Sequence, residues 1–181
     1  RNIPFHKTIS PSMDILISSN LERLLYHETG ENTAQIKKFM QELNDSGKYK
    51  IDSALKKKLD KIFYANFATE EETMNTIKKI YDTFKYLTDT HTAVALAVLI
   101  KYRSSTKDLS PVLLASTASP FKFTNSVLTA LDENVEGIDD LAQLDELSFK
   151  IQKPVPKNLA SLEKAKILHE EVCDKEQMAE M

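Results

Sequence analysis

Glycine is scarce in this chain: it occurs three times in 181 residues, at Gly30, Gly47 and Gly137. Average usage is about 7%. The phosphate-binding loops of nucleotide- and dinucleotide-binding proteins need several glycines close together, because their backbone N–H groups must approach the phosphate. No two glycines here are close together, so the chain carries no such loop. If its function involves a phosphorylated cofactor, the phosphate is bound elsewhere.

Cysteine is nearly absent as well, since Cys173 is the one cysteine of the chain. An internal disulfide is therefore excluded, and the composition fits a reducing compartment, so we expect a cytoplasmic protein. Cys173 lies in a charged stretch without an arrangement of basic residues that would stabilise a thiolate. This favours a half-exposed cysteine over a nucleophile.

Long apolar runs and a strong net charge are also missing. The longest apolar run, residues 93–100, is far shorter than the ~18 residues of a membrane span. The net charge is −3 and the basic residues are scattered, so we expect neither a membrane nor a nucleic acid as partner. The N-terminus has no secretory leader pattern. The histidines lack metal-ligand spacing, so we expect no metal.

What the chain does contain is a series of amphipathic helices. Apolar spacing and capping residues predict four helices. They run from residues 18–20 to near Gly30, over 33–45, over 53–60, and over the residues that follow 69–72 in the sequence. The last begins with Thr69 and Glu72 in the positions of a capping box. Residues 62–67 are rich in aromatic side chains and are predicted to form a strand.

The pattern changes in the second half of the chain. Asp89 opens a helix whose residues 93–100 are all apolar, which predicts burial on every side. Residues 112–115 form a short apolar run without polar alternation, as is typical of a buried parallel strand. A polar turn and a further helix beginning at Pro120 follow. An acidic helix over 138–147 and a charged terminal helix from about residue 158 complete the prediction.

This order of buried helix, loop, buried strand, turn and helix is half of a βαβ arrangement. A parallel strand needs parallel neighbours, and this chain offers few. We therefore expect a helix-rich α/β fold with few parallel strands of its own. Either most of the sheet belongs to a part of the protein outside this sequence, or the sheet is very small.

Polar residues beside these elements are the candidates for chemistry. Ser116 and Thr117 follow the predicted strand, where ligands bind in open α/β sheets, although a hydroxyl there also suits a helix cap. His91 follows Asp89 at the start of the apolar helix, and the pair is either an acid/base unit or a structural contact. Asp14 lies in an apolar run and needs a partner if it is buried, from the protein or from a substrate.

Three segments resemble one family. Residues 8–23, with Ser-Pro-Ser-Met-Asp-Ile and Ser-Ser-Asn-Leu-Glu-Arg, are similar to the Ser-Pro-x-Met-Asp-Ile-x-x-Ser-Ser-Asn-x-Glu-Arg segment of threonine synthases of the longer subfamily of fungi and many bacteria. Residues 89–95 are similar to its Asp-Pro-His-Thr-Ala-x-Gly, and residues 116–123 to its Ser-Thr-Ala-His-Pro-x-Lys-Phe. The resemblance covers nearly the whole chain and is weakest after about residue 134.

The resemblance implies the C-terminal part of a fold-type-II pyridoxal 5'-phosphate enzyme, which converts O-phosphohomoserine and water into threonine and phosphate. The family's Schiff-base lysine and glycine-rich phosphate loop lie upstream of any segment matched here. We therefore expect no catalytic residue in this chain and no activity from it alone. Thr117 matches the threonine that hydrogen-bonds the cofactor's pyridine nitrogen, and Ser116, Ser119, His91 and Asp14 are expected to line the site.

The resemblance also implies a domain organisation. Residues 1–134 would belong to the catalytic region, with a helical insertion at about 30–87, and residues 135–181 would form a helical C-terminal extension. The expected partners are the N-terminal part of the same protein and the small-molecule substrate.

Three positions depart from the family pattern: Thr90 replaces proline, Ala95 replaces glycine and Ser119 replaces histidine. These three departures leave the identity of the substrate open. One alternative is a threonine-synthase-like phospholyase that acts on another phosphorylated amino substrate. Another is a non-catalytic binding or scaffold domain.

Overall fold

The chain is described here by a computed structural model that covers residues 5–168 and 171–179. It forms two compact units, which divide between Val135 and Glu136. The helices are α1 (Ser19–Glu28), α2 (Thr33–Ser46), α3 (Ser53–Asp60), α4 (Glu70–Phe84), α5 (Thr90–Thr106), α6 (Thr124–Ala130), α7 (Asp140–Ile151) and α8 (Lys157–Ala160). Whether the two units are a catalytic region and an extension stays a prediction.

Helices α1, α2 and α3 form as predicted and share a small apolar core. Leu25, Ile36, Phe39 and Leu55 are buried together in it. Each helix begins with a residue whose side chain accepts a backbone N–H of the first turn, namely Ser18, Asn32 and Asp52. Gly47 ends α2 in the left-handed conformation, which glycine adopts without steric strain. These local signals explain why the helices were predictable.

Helix α4 packs against both α5 and α6 and supports the start of α5. The predicted capping box is confirmed: Thr69 accepts the N–H of Glu72, and the Glu72 carboxylate accepts the N–H of Thr69. Ile77 of α4, Ala93 of α5 and Val127 of α6 are each 0% exposed. The N-terminal turn of α5 is therefore held firmly by its neighbours.

The predicted strands are not formed within the described part of the chain. Residues 62–67 and 112–115 are neither helix nor strand, and Leu113 is 98% exposed. A strand needs a neighbour to accept and donate its backbone hydrogen bonds. The described residues supply no such neighbour to either segment, so the two predictions were wrong for this chain by itself.

The prediction that α5 is buried on every side was also wrong. Ala93 and Ala97 are buried, but Ile100 is 51% exposed and the other apolar residues from Val94 to Leu99 are only half-buried. Helix α4 covers one side of α5. The remaining apolar surface of α5 is covered only in part by the described residues.

The second unit contains α7 and α8. The acidic helix predicted over 138–147 is present as α7, whose Leu144 and Leu147 are buried. The predicted charged helix from about residue 158 does not form within the described residues: α8 is a single turn, and residues 162–164 form a separate 3₁₀ turn. None of the helices in the described ranges has the length and apolar character needed to cross a membrane.

Candidate functional site

Three segments that are far apart in the sequence meet at the N-terminus of α5. They are residues 8–14, residues 89–92 and residues 116–123. The first is joined to the second by a hydrogen bond from Ser12 to His91, and the second to the third by one between Thr92 and Ser116. The three motifs named above therefore form one constellation.

Asp89 organises the start of α5. Its side chain is 0% exposed. The Oδ1 atom accepts the backbone N–H groups of His91 at 2.8 Å and Thr92 at 3.1 Å, and Oδ2 accepts the Thr92 hydroxyl at 2.5 Å. A buried carboxylate is costly unless it is hydrogen-bonded, and here three donors satisfy it. The expectation that Asp89 caps the helix is confirmed.

His91 links the first and third segments. Its Nε2 atom accepts the backbone N–H of Ser12 at 3.1 Å. Nδ1 lies 3.3 Å from the Thr90 hydroxyl oxygen and 3.5 Å from the Asp89 carboxylate, and the ring centroid lies 4.8 Å from that of Phe123. These contacts favour the structural alternative for the Asp89–His91 pair, since both ring nitrogens are occupied.

Asp14 is paired within its own loop. Its carboxylate accepts the backbone N–H of Thr8 at 2.8 Å and the Thr8 hydroxyl at 2.7 Å. The backbone hydrogen bond from Thr8, with help from the hydroxyl, lowers the pKa of Asp14 below its ordinary value. The charge of Asp14 therefore fixes the shape of the 8–14 segment.

The hydroxyls of the third segment differ in what they do. The Ser116 and Thr92 hydroxyl oxygens are 3.1 Å apart, and Ser119 Oγ accepts the N–H of Phe121 at 3.3 Å as the cap of the following 3₁₀ turn. Thr117 is exposed, and its hydroxyl has no hydrogen-bond partner in the part of the chain that the structure describes. It is therefore the hydroxyl of this motif that is available to a ligand.

A groove of about 770 Å³ lies beside Asp14, between residues 5–16 and residues 66–73. The Glu70 carboxylate joins its two walls, because it accepts the backbone N–H of Ile9 at 3.2 Å across 61 residues of sequence. The sequence pattern did not predict this groove. Its two walls are far apart in the sequence, and no periodicity or local motif in either segment indicates contact with the other.

The sequence also did not predict two contacts of the site: the one of Ser12 with His91, and those of Thr92 with Asp89 and Ser116. A signal for Thr92 exists: it stands three residues after the N-cap Asp89, where a side chain reaches back to the cap. No comparable local signal exists for Ser12. No group of three or more histidine, cysteine or acidic side chains among the described residues is placed to hold a metal ion.

Known proteins resemble this chain in sequence and in structure. Residues 92–179 match the sequence profile of the family described as "Threonine synthase, C-terminal". The threonine synthase of Saccharomyces cerevisiae is 37% identical over an alignment of 138 residues, and the match covers 68% of this chain and 27% of that protein. The chain thus spans about a quarter of the length of this curated relative.

Two solved structures are similar throughout most of the chain. The crystal structure of threonine synthase from yeast superposes with a TM-score of 0.74 and 32% identity, over 92% of this chain and 33% of that one. The structure of PLP-bound threonine synthase from Brucella melitensis gives 0.67 and 31%, over 84% of this chain and 31% of that one. Since both identities exceed 30%, these likenesses extend beyond a shared fold.

Proposed function

Because this chain is related in sequence and in fold to the C-terminal part of threonine synthases, we propose that it forms that part of a larger pyridoxal-phosphate enzyme, which converts O-phosphohomoserine and water into threonine and phosphate. The observation that carries the proposal is the convergence of the three family motifs at the start of α5. Segments that matched separately along the sequence lie together in space, through the contacts of His91 and Thr92.

The arrangement of Thr117 fits the cofactor. Its exposed hydroxyl, which no described residue engages, is free to hydrogen-bond a ring nitrogen. Bound pyridoxal phosphate supplies an electron sink for the reacting amino acid. A hydroxyl is a neutral partner, so Thr117 would leave the ring nitrogen unprotonated, whereas a carboxylate in its place would hold a proton there. Thr117 would in this way moderate the sink and suit a β,γ-replacement, in which phosphate leaves the γ-carbon and the hydroxyl of water is added at the β-carbon.

The exposed apolar surface supports a partner within the same protein. Leu109 is 81% exposed, Leu113 98% and Phe67 70%, and the apolar residues of α5 are only half covered. A large exposed apolar patch marks an interaction site, and we interpret these side chains as parts of one. We assign it to the upstream part of the protein, which would complete a sheet with residues 112–115. That part would also carry the Schiff-base lysine and the phosphate loop, so the 181-residue chain alone would be inactive.

The test uses the full-length protein supplied with pyridoxal phosphate and O-phosphohomoserine. Equal amounts of threonine and phosphate are expected. If neither product forms although the cofactor is bound, the proposed substrate is wrong. The 181-residue chain should release neither product. Turnover by this chain alone would contradict the proposal that the upstream part of the protein carries the Schiff-base lysine and the phosphate loop.

A second candidate is a related phospholyase that acts on another phosphorylated amino substrate. The observation that favours it is Ser119, which replaces the family's histidine and whose hydroxyl oxygen caps the next turn. The imidazole of the family pattern is therefore missing beside Thr117. Release of phosphate without threonine, from O-phosphohomoserine or another phosphorylated amino compound, would favour this candidate.

A further inference from the structure

A chain of three polar side chains runs from the interior of the protein to the residue before Thr117. Asp89 lies at its buried end, Thr92 in the middle and Ser116 at its outer end. The Thr92 hydroxyl is 2.5 Å from Asp89 Oδ2 and 3.1 Å from Ser116 Oγ. Thr92 is 3% exposed.

The direction of the protons along this chain is determined by Asp89. A hydroxyl has one proton to donate, and Thr92 donates it to the carboxylate. The oxygen of Thr92 is then left as an acceptor, so Ser116 must donate its own proton to Thr92. This hydrogen bond restrains the Ser116 side chain and, with it, the backbone that connects Ser116 to Thr117.

Helix packing makes the inner end of this chain rigid. Ala93, the residue after Thr92, is 0% exposed, and Asp89 also accepts the N–H groups of His91 and Thr92. The outer end is different, because residues 107–118 are neither helix nor strand. The contact between Thr92 and Ser116 is therefore the hydrogen bond that ties the exposed Ser116–Thr117 segment to the α5 framework.

We propose that Thr92 is a positioning residue for the cofactor contact: anchored on Asp89, it holds Ser116 and thereby sets the position of the Thr117 hydroxyl. This inference rests on the proposed cofactor role of Thr117. Thr92 does not touch the cofactor itself. Its effect on cofactor binding passes through its neighbour's hydroxyl.

The experiment measures the dissociation constant of pyridoxal phosphate by absorbance titration of the full-length apoprotein. Thr92→Val keeps the shape of the side chain and removes the hydroxyl. We expect it to weaken binding about tenfold, as for one lost hydrogen bond, and Thr92→Ser to restore most of the affinity. Thr76→Val is the matched control, because Thr76 is a buried threonine of α4 whose hydroxyl binds only its own helix, at Glu72 O.

The double variant Thr92→Val/Thr117→Val tests whether Thr92 acts through Thr117. If it does, the two effects are not additive, and the double variant binds pyridoxal phosphate about as weakly as Thr117→Val alone. Additive effects, or an effect of Thr92→Val no larger than that of the control, would overturn the inference. If Thr92→Val does not fold, Ser116→Ala breaks the same link from its outer end and takes its place in the comparison.

The same titration tests the proposed role of Thr117 independently of that of Thr92. If Thr117→Val leaves the affinity and the absorption spectrum of pyridoxal phosphate unchanged, Thr117 is not a cofactor contact, whatever Thr92 does. If Thr117→Val changes them and Thr92→Val does not, the role of Thr117 stands and the positioning role of Thr92 is wrong.

Discussion

The backbone N–H of Ser12 donates to Nε2 of His91 over 3.1 Å, although 79 residues separate them in the sequence. This bond attaches the loop that carries Asp14 to the helix that Asp89 caps. The same imidazole lies against the ring of Phe123 on its other side. His91 therefore joins two of the three segments of the candidate site to the start of α5.

Replacing His91 by phenylalanine should separate these two functions. The ring contact with Phe123 is kept, but Ser12 loses its acceptor. We expect the free energy of unfolding to fall by about 0.5–1.5 kcal/mol, as for one net hydrogen bond, because the exposed Ser12 can be rehydrated. Urea denaturation of the full-length protein measures it. His27→Phe, at an exposed histidine of α1, should change stability by less than about 0.5 kcal/mol. Equal effects of both variants would contradict the role given to His91.

Asp108 gives a prediction for acid pH. Hydrogen bonds from Ser110 and from the Tyr102 hydroxyl lower the pKa of Asp108 from 3.8 to about 2. Because the pKa is lower in the folded state, the ionised carboxylate stabilises the fold at pH values above about 4, and this contribution is lost as the pH falls through about 2. The stability difference between the protein and Asp108→Asn should therefore be constant from pH 5 to 7 and shrink from about pH 4 downwards. Denaturant midpoints measured across this range check it, and a difference that is the same at pH 2.5 and pH 6 would contradict it.

The sequence predicted those parts of the fold whose causes are local. The N-cap of Ser18, the capping box of Thr69 and Glu72, and the cap of Asp89 each depend on residues within one helical turn, and each is present in the structure. Helix formation depends mainly on such neighbours and on the spacing of apolar residues. This is why α1 to α4 and the start of α5 were predicted correctly.

Strands and contacts between segments could not be predicted in the same way. Residues 112–115 have the composition of a buried strand, but strand pairing depends on a partner that no described residue supplies. The bond of Ser12 to His91 spans 79 positions, and no pattern around Ser12 points to an imidazole. The resemblance to a family placed Ser12, His91 and Thr117 in motifs, but only the structure brought those motifs together.

Lys101 should hold one wall of the groove in place. Its ammonium group donates to Glu72 Oε2 at 2.7 Å and to the carbonyl oxygen of Phe67 at 2.8 Å. Lys101→Met keeps most of the aliphatic stem and removes both bonds, so residues 62–69 should be cleaved faster in limited proteolysis. High salt should reduce the difference, since the pair is half exposed and is screened. Lys79→Met, at an exposed lysine of α4, is the control. Equal cleavage of both variants would show that Lys101 does not hold the segment.

Thr117 should matter for turnover more than for folding. Thr117→Val removes the hydroxyl from an exposed position, so we expect the free energy of unfolding to change by less than about 0.5 kcal/mol. If the hydroxyl pairs with the cofactor, kcat/KM of the full-length protein should fall about tenfold or more, and Thr117→Ser should retain most of the activity. Steady-state kinetics on the two variants decide it, and unchanged kinetics of Thr117→Val would remove this residue from the site.

Leu113 tests whether the upstream part of the protein covers the segment before Thr117. The side chain is 98% exposed in this chain, where truncation should have almost no effect. If residues 112–115 become a buried strand in the full-length protein, Leu113→Ala should lower its free energy of unfolding by about 2–5 kcal/mol, the usual range for a truncated core leucine. Val172→Ala is the control, since Val172 is 96% exposed and lies in the other unit. Chemical denaturation of the full-length variants measures both. A loss at Leu113 no larger than that at Val172 would mean that the segment stays at the surface, and Thr117 would then lack the sheet that is proposed to carry it.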